Sequence, residues 1–209
     1  MIDVSRASQI PASLGNGTSY DGSDVKAQLF SDFLGKCYLC EGPITLGSME
    51  IDHRHPVNDG GGEFDWSNLF ACCRSCNSRR PRRWPVAGLL DPARGGSVET
   101  RVAQAYSDGE AMVFAGISAS DVAANNTAAE LDRIHNGPHA KAVDLRHAIR
   151  DRLLEVFEIY RCWVRMQRGT DAAAQALAHG HLCKALSRCA PYTMLVRSVF
   201  KDELSHIFD

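Results

Sequence analysis

The longest periodic stretch of this chain lies in its C-terminal half. From His139 to Gln167 apolar residues recur every three or four positions, at Ala142, Leu145, Ile149, Leu153, Val156, Tyr160 and Trp163. That spacing lines one face of a long helix, and Gly169-Thr170 breaks it. A preceding helix is predicted from Thr127 and Glu130, a capping-box pattern, and stops at Asn136-Gly137. Ala172 to Ser187 is rich in alanine and leucine and reads as a further helix. Pro191 suits the first turn of a last helix reaching Ile207. The apolar stripes are most simply the core of one lobe, and a partner-docking face is the sharper alternative.

The period changes upstream. Val102 to Phe114 alternates around Asp108-Gly109, the signature of a β-hairpin that would add two strands to the preceding domain. Residues 86 to 97, with Leu89-Leu90-Asp91-Pro92, read as a connector. Residues 1 to 30 are polar and rich in Gly and Ser up to Asp24, and predict a loosely held arm followed by a short helix from Val25 to Phe33. The resulting division is an arm over 1–30, a core over 31–90, a connector with a hairpin over 91–126 and a helical lobe over 127–209. The fold class is α+β, with no internal repeat and no low-complexity tract.

Composition narrows the class. The chain has 209 residues, a net charge of −2 and 8 cysteines. That is too few cysteines for a disulfide-dense scaffold. Met1 to Arg6 do not open a signal peptide, and no apolar run approaches bilayer length. The expected location is the reducing cytoplasm. No Gly-rich phosphate loop with its lysine is present, so any ATP chemistry would belong to a partner.

The cysteines are not scattered. Cys37-x-x-Cys40 and Cys73-x-x-Cys76 are two pairs of the spacing that presents two thiolates from one tight turn, and together they predict a tetrahedral structural zinc site. Cys72 would break that spacing and reads as a small packed residue. Cys162, Cys183 and Cys189 lie in apolar helical sequence and read as core thiols.

Between the pairs run Met49-Glu50-Ile51-Asp52-His53-Arg54-His55-Pro56, Gly60-Gly61-Gly62 and Trp66-Ser67-Asn68-Leu69, and Asn77 follows Cys76. Imidazole titrates near neutrality, which makes His53 a general-base candidate for activating water. Asp52 and Asn77 offer oxygen donors suited to a hard divalent cation such as magnesium. In a regular strand Asp52 and His53 point to opposite faces, so one cleft can receive both only if the strand bends or ends there. Pro56 and the glycine run suggest that it does. His55 is an alternative base or a third ligand, and more plainly a flank of the loop. Glu50 shares strand parity with Asp52. Arg74, Arg79, Arg80, Arg82 and Arg83, with Trp84, form a basic strip that would neutralise phosphates, or else a solvated face. Asp59, Glu63 and Asp65 would repel a duplex on their side.

In this order and spacing, residues 36 to 85 resemble the HNH endonucleases, a family with a ββα-metal core that is often zinc-stapled. The matching positions are His53, Asn68 and Asn77, the variant with Asn at the third position. The resemblance implies that Asp52 and Asn77 ligate the catalytic cation and that Asn68 holds the histidine-bearing loop. It also implies hydrolysis of nucleic acid, most simply DNA, leaving 5′-phosphate and 3′-hydroxyl ends. The competing expectation is a zinc-stapled adaptor that binds nucleic acid or protein without cutting.

A wider set of elements resembles PtuB, the HNH subunits of Septu-type antiphage systems that also accompany some retrons. It comprises Arg80-Pro81-Arg82-Arg83-Trp84-Pro85, Leu90-Asp91-Pro92, Asp108-Gly109 and the long helix. The chain departs from that pattern at Trp84, where Phe is usual, and at Pro81, where Gly is usual. That resemblance implies an ATPase partner of the PtuA kind docked on the helical lobe, and a regulated antiviral nuclease.

Overall fold

The computed structural model describes residues 1–95, 97–107 and 111–209. Two short helices open the chain, α1 (Ala12–Gly15) and α2 (Ser23–Asp32). A two-stranded antiparallel sheet follows, β1 (Met49–His53) against β2 (Leu69–Cys73), with Asp52 opposite Phe70 and His53 opposite Leu69. The short helix α3 (Arg74–Asn77) leaves directly from β2. This ββα region carries the four paired cysteines, and a mainly helical region follows it.

The strand β2 is Leu-Phe-Ala-Cys-Cys, apolar throughout and buried along nearly its whole length. It packs under α2, where Phe33 and Tyr38 meet the Phe70 ring at 5.4 and 4.9 Å. The backbone N–H of Tyr38 donates to the Ala71 carbonyl at 2.9 Å, tying the first cysteine pair to the strand that leads to the second.

The first residues are not loosely held. Met1, Ile2 and Val4 are buried in the same core. Val4 donates to the Pro92 carbonyl at 2.7 Å, and the Asp3 carboxylate accepts from Val98 and Glu99 N–H, each at 3.1 Å. Arg6 lays its guanidinium 4.8 Å from the Trp66 ring and 4.7 Å from Phe70, and donates to the carbonyls of Trp66 and Leu69. A polar composition signals exposure, but a few apolar side chains and one stacked arginine suffice to bury such a segment.

The strands β3 (Val102–Tyr106) and β4 (Met112–Gly116) pair antiparallel, but as a second, separate sheet. The sequence pattern predicted two strands added to the preceding domain, and the two strands form. They lie on the helical region. Tyr106 N–H donates to Ser198 Oγ at 3.1 Å, and Met112 exchanges two hydrogen bonds with the Asn136 side chain at 3.1 and 2.6 Å. The Asp108-Gly109 turn lies outside the described residues.

The helices are α4 (Val122–Asn136), α5 (Ala140–Gln167), α6 (Ala172–Ala185), α7 (Thr193–Val199) and α8 (Lys201–Leu204). The α4 helix starts five residues before Thr127, because Asp121 caps it by accepting from Ala124 N–H at 3.1 Å. The capping-box reading is therefore wrong. Thr127 and Glu130 are interior and turn to other partners, Leu90 and Arg80. The α5 stripe behaves as read: Ala142, Ile149 and Val156 are buried, and Leu145, Leu153, Tyr160 and Trp163 pack beside them. The last predicted helix is interrupted at Phe200, a buried residue that separates α7 from α8.

The first cysteine turn is the seat of the helical region. Tyr192 N–H donates to the Glu41 carbonyl at 3.1 Å, and Met194 N–H to the Glu41 carboxylate at 3.2 Å. Lys36 Nζ, buried, donates to the Ala190 carbonyl and Thr193 Oγ1 at 3.0 and 3.3 Å. Among the described residues no helix is long and apolar enough to cross a membrane.

Candidate metal centre and adjoining cleft

The sulfur atoms of Cys37, Cys40, Cys73 and Cys76 all lie within 4.8 Å of one another. A zinc ion with four bonds of about 2.3 Å would space its sulfurs about 3.8 Å apart, and Cys40 and Cys73 stand at 4.0 Å. Backbone N–H groups of Gly42 and Cys76 point at Cys40 and Cys73 sulfur at 3.4 Å each, a pattern that favours thiolate. Burial raises the Cys37 thiol, but sulfur hydrogen bonds from its neighbours outweigh that and bring it well below the ordinary value. The same shared protons push Cys40 well above it. Such a set binds a soft dication by giving up its protons. Among the described residues it is the one group of three or more His, Cys, Asp or Glu side chains placed to share a metal.

Cys72 stays out of the set. The pleat turns it away from Cys73 into full burial, 3.8 Å from Cys37 sulfur. The expectation for the later cysteines fails: Cys162 and Cys189 are exposed and Cys183 is half-buried beside His179. Helical apolar sequence does not say which face a small residue occupies.

Beside the metal centre lies a cleft of about 550 Å³ whose lining includes Asp52, His53, Pro56, Asn77, Arg80 and Arg82. Asp52 and His53 leave opposite sides of β1, as strand geometry demands. They share the cleft because the strand ends at His53. Asp52 is buried. Its Oδ2 accepts from the Tyr38 hydroxyl and meets Arg80 Nε at 2.9 Å. Burial raises its carboxyl above the ordinary value, against the Arg80 charge and the Tyr38 hydroxyl, which pull it down. Burial also holds the Tyr38 hydroxyl protonated, well above its usual range, so it stays a donor. Both the Tyr38 and the Arg80 contacts fall on Oδ2.

His53 is half-exposed. Its Nε2 lies 3.0 Å from the Glu63 carbonyl, and its ring meets Tyr20 edge-on at 4.8 Å. A carbonyl only accepts, so the proton sits on Nε2 and Nδ1 carries the free lone pair. Asn77 Nδ2 donates to Glu50 Oε2 at 2.9 Å, which leaves the Asn77 carbonyl oxygen unengaged. Asp52 and Asn77, which both line the cleft, offer oxygen donors of the kind a hard cation takes, while among the described residues the four cysteines are the one evident metal-binding cluster.

Asn68 is buried and faces away from the cleft, clamping the loop between the strands. Its Oδ1 accepts from His55 N–H at 2.7 Å, and its Nδ2 donates to the carbonyls of His55 and Gly62 at 2.9 and 3.1 Å. His55 flanks the loop. Its Nε2 lies 2.8 Å from the Asp59 carbonyl and its ring stacks on Trp84 at 4.8 Å. The acidic loop is largely spent on structure: Asp59 accepts from Trp84 N–H at 2.5 Å and Asp65 from Ser67 N–H at 2.9 Å.

The basic strip divides. Arg74, Arg82 and Arg83 are exposed, and Arg79 is half-buried with a hydrogen bond to Ser75 Oγ at 2.8 Å. Arg80 does not belong to the strip. Its side chain is 7% exposed and ion-paired to Asp52 and Glu130. Sequence reasoning missed Tyr38 and Arg80 as partners of Asp52, and Glu130 as the second partner of Arg80. The available signal was chemical: a buried aspartate needs a cation and a donor, and these had no local candidate.

Residues 37–83 match the family model described as HNH endonuclease. No curated protein and no solved structure matches the chain. The match spans both cysteine pairs, the two strands, the cleft and α3, and stops before the helical region. This segment is an HNH endonuclease-like domain built around a four-cysteine centre.

Proposed function

We propose that the chain is a divalent-metal-dependent endonuclease acting on nucleic acid, most simply DNA. The observation that carries this reading is the convergence of Asp52, His53 and Asn77 on one open cleft inside the HNH-matching segment. His53 Nδ1 takes the proton of an attacking water, and the Glu63 carbonyl holds the ring by its Nε2–H and favours the imidazolium that forms. Asp52 and Asn77 would hold the cation through side-chain oxygens. When bound, such an ion supplies positive charge to the scissile phosphate and the departing 3′ oxygen. Arg82 lines the cleft, and with Arg74, Arg79 and Arg83 from the same stretch of chain it contacts backbone phosphates. The products carry 5′-phosphate and 3′-hydroxyl ends.

The test is plasmid nicking with magnesium or manganese. His53→Ala abolishes cleavage while zinc content and helical signal stay as in the parent chain. Cleavage that survives in this variant removes His53 from the role of base. Binding of nucleic acid without metal-dependent nicking favours the adaptor reading instead.

The antiphage reading and its ATPase partner extend this proposal. The outer face of α5 supports it, because Leu154 and Phe157 are exposed there among charged residues of both signs. Co-expression with an ATPase of the PtuA kind, followed by size-exclusion mass measurement, tests it. Recovery of the two only as separate species at high concentration counts against it.

A further inference from the structure

One side chain, Arg80, joins the cleft to the helical region: Nη1 and Nη2 form hydrogen bonds, and Nε makes a close ion pair that lacks hydrogen-bond geometry. Nε meets Asp52 Oδ2 at 2.9 Å, Nη1 meets Glu130 Oε1 at 3.1 Å, and Nη2 donates to the Arg54 carbonyl at 2.6 Å. The first contact sets the guanidinium charge against the Asp52 carboxylate. The third pins the chain one residue beyond His53. The second comes from α4, outside the segment that matches the family.

The side chains of Asp52, Arg80 and Glu130 are each 6–7% exposed. Burying one aspartate against one arginine would leave this part of the cleft neutral. Glu130 changes the sum, so that the buried triad carries one net negative charge. Arg133, on the next turn of α4, reaches Glu130 at 2.8 Å from the surface, and its side chain is 40% exposed. A solvated charge of that kind offsets much less than a buried one.

We propose that Glu130 is a positioning residue for the cation site. It holds the Arg80 guanidinium against Asp52, and it prevents Arg80 from cancelling the negative charge that a divalent cation needs. The helical region thereby sets the metal affinity of the HNH-like domain. This rests on the reading of Asp52 as a cation ligand. A purely structural weld between α4 and the strands predicts no such effect on metal binding.

The experiment is titration of the full-length, zinc-loaded chain with manganese, followed by the paramagnetic resonance of the free ion, with no nucleic acid present. The parent chain binds manganese beyond its zinc, and Asp52→Asn abolishes that binding. Glu130→Gln, which keeps an acceptor oxygen for Arg80, weakens it about tenfold with zinc content unchanged. Arg133→Met acts in the opposite direction and tightens binding about twofold, since it strips a cation from Glu130.

Parent-like affinity in Glu130→Gln overturns the proposal, as does weakening by Arg133→Met. If Glu130→Gln does not fold, the sign of the Arg133→Met effect decides. Manganese binding that depends on Asp52 but not on Glu130 removes this inference alone. Dependence on both without any nicking removes only the nuclease reading. A parent chain that binds no manganese removes both.

Discussion

Asn68 grips His55 by both of its backbone groups, accepting from the N–H at 2.7 Å and donating to the carbonyl at 2.9 Å. A side-chain amide here does what a neighbouring strand would do. It closes the loop from His55 to Gly62 over the end of β1, and so fixes where the chain leaves His53. An aspartate at 68 keeps the size but turns a charge toward the carbonyls of His55 and Gly62. Asn68→Asp is expected to cost about 2–4 kcal/mol in urea unfolding. Nicking should fall by about a hundredfold, with zinc retained, because the base is displaced.

The same loop explains one of its three glycines. A Cβ placed on Gly61 would sit 2.0 Å from the His55 carbonyl oxygen and 3.0 Å from Asn68 Nδ2. Neither can retreat without breaking the clamp. Gly61→Ala should destabilise by about 1–3 kcal/mol and lower nicking in step with Asn68→Asp. By contrast, a Cβ on Gly47 meets nothing within 4 Å, so Gly47→Ala serves as a control with little effect on either measurement.

Adjacent cysteines of β2 should behave differently. Cys73→Ala removes a member of the sulfur cluster and is expected to abolish stoichiometric zinc and unfold the ββα region, even when purified without chelator. Cys72→Ala leaves zinc content unchanged and costs only about 1 kcal/mol as a small core truncation. A dye-based zinc release assay on both variants checks the pair.

His135 makes the fold sensitive to acid. It is fully buried against Phe114, with Nδ1 at 2.8 Å from the Leu131 carbonyl, and burial lowers its pKa to about 4 from 6.5. In this depressed case the unfolded chain takes up the proton first. Stability is therefore complete above about pH 6.5 and is lost as pH falls toward 4, by roughly 3 kcal/mol in all and about 2 kcal/mol of it between pH 7.5 and 5. Urea unfolding at both pH values should show that loss in the parent. In His135→Leu the difference between the two pH values should shrink by that amount.

Much of the centre is legible in the sequence. Two C-x-x-C units report their own geometry, and the order Asp52, His53, Asn68, Asn77 between and after them marks a hairpin leading into a short helix. The α5 stripe is equally plain, since Ala142, Ile149 and Val156 sit seven residues apart and all are buried. Reading fails where several local patterns compete. Asp121 outranks Thr127 as the start of α4, and apolar surroundings misplace Cys162 and Cys189, which are exposed.

The chain's own letters determined the four-cysteine cluster, the strand that ends at His53 and the long helical face. Each of these depends on neighbours within one or two turns, or on ligand spacing that survives any larger arrangement. Only the tertiary structure decided that Met1 to Val4 enter the core, that β3 and β4 pack on helices, and that Arg80 leaves the basic strip for Asp52 and Glu130. Those outcomes turn on which charges and apolar groups lose water together, and side chains as far apart in sequence as Asp52, Arg80 and Glu130 meet only once the whole chain has closed around them.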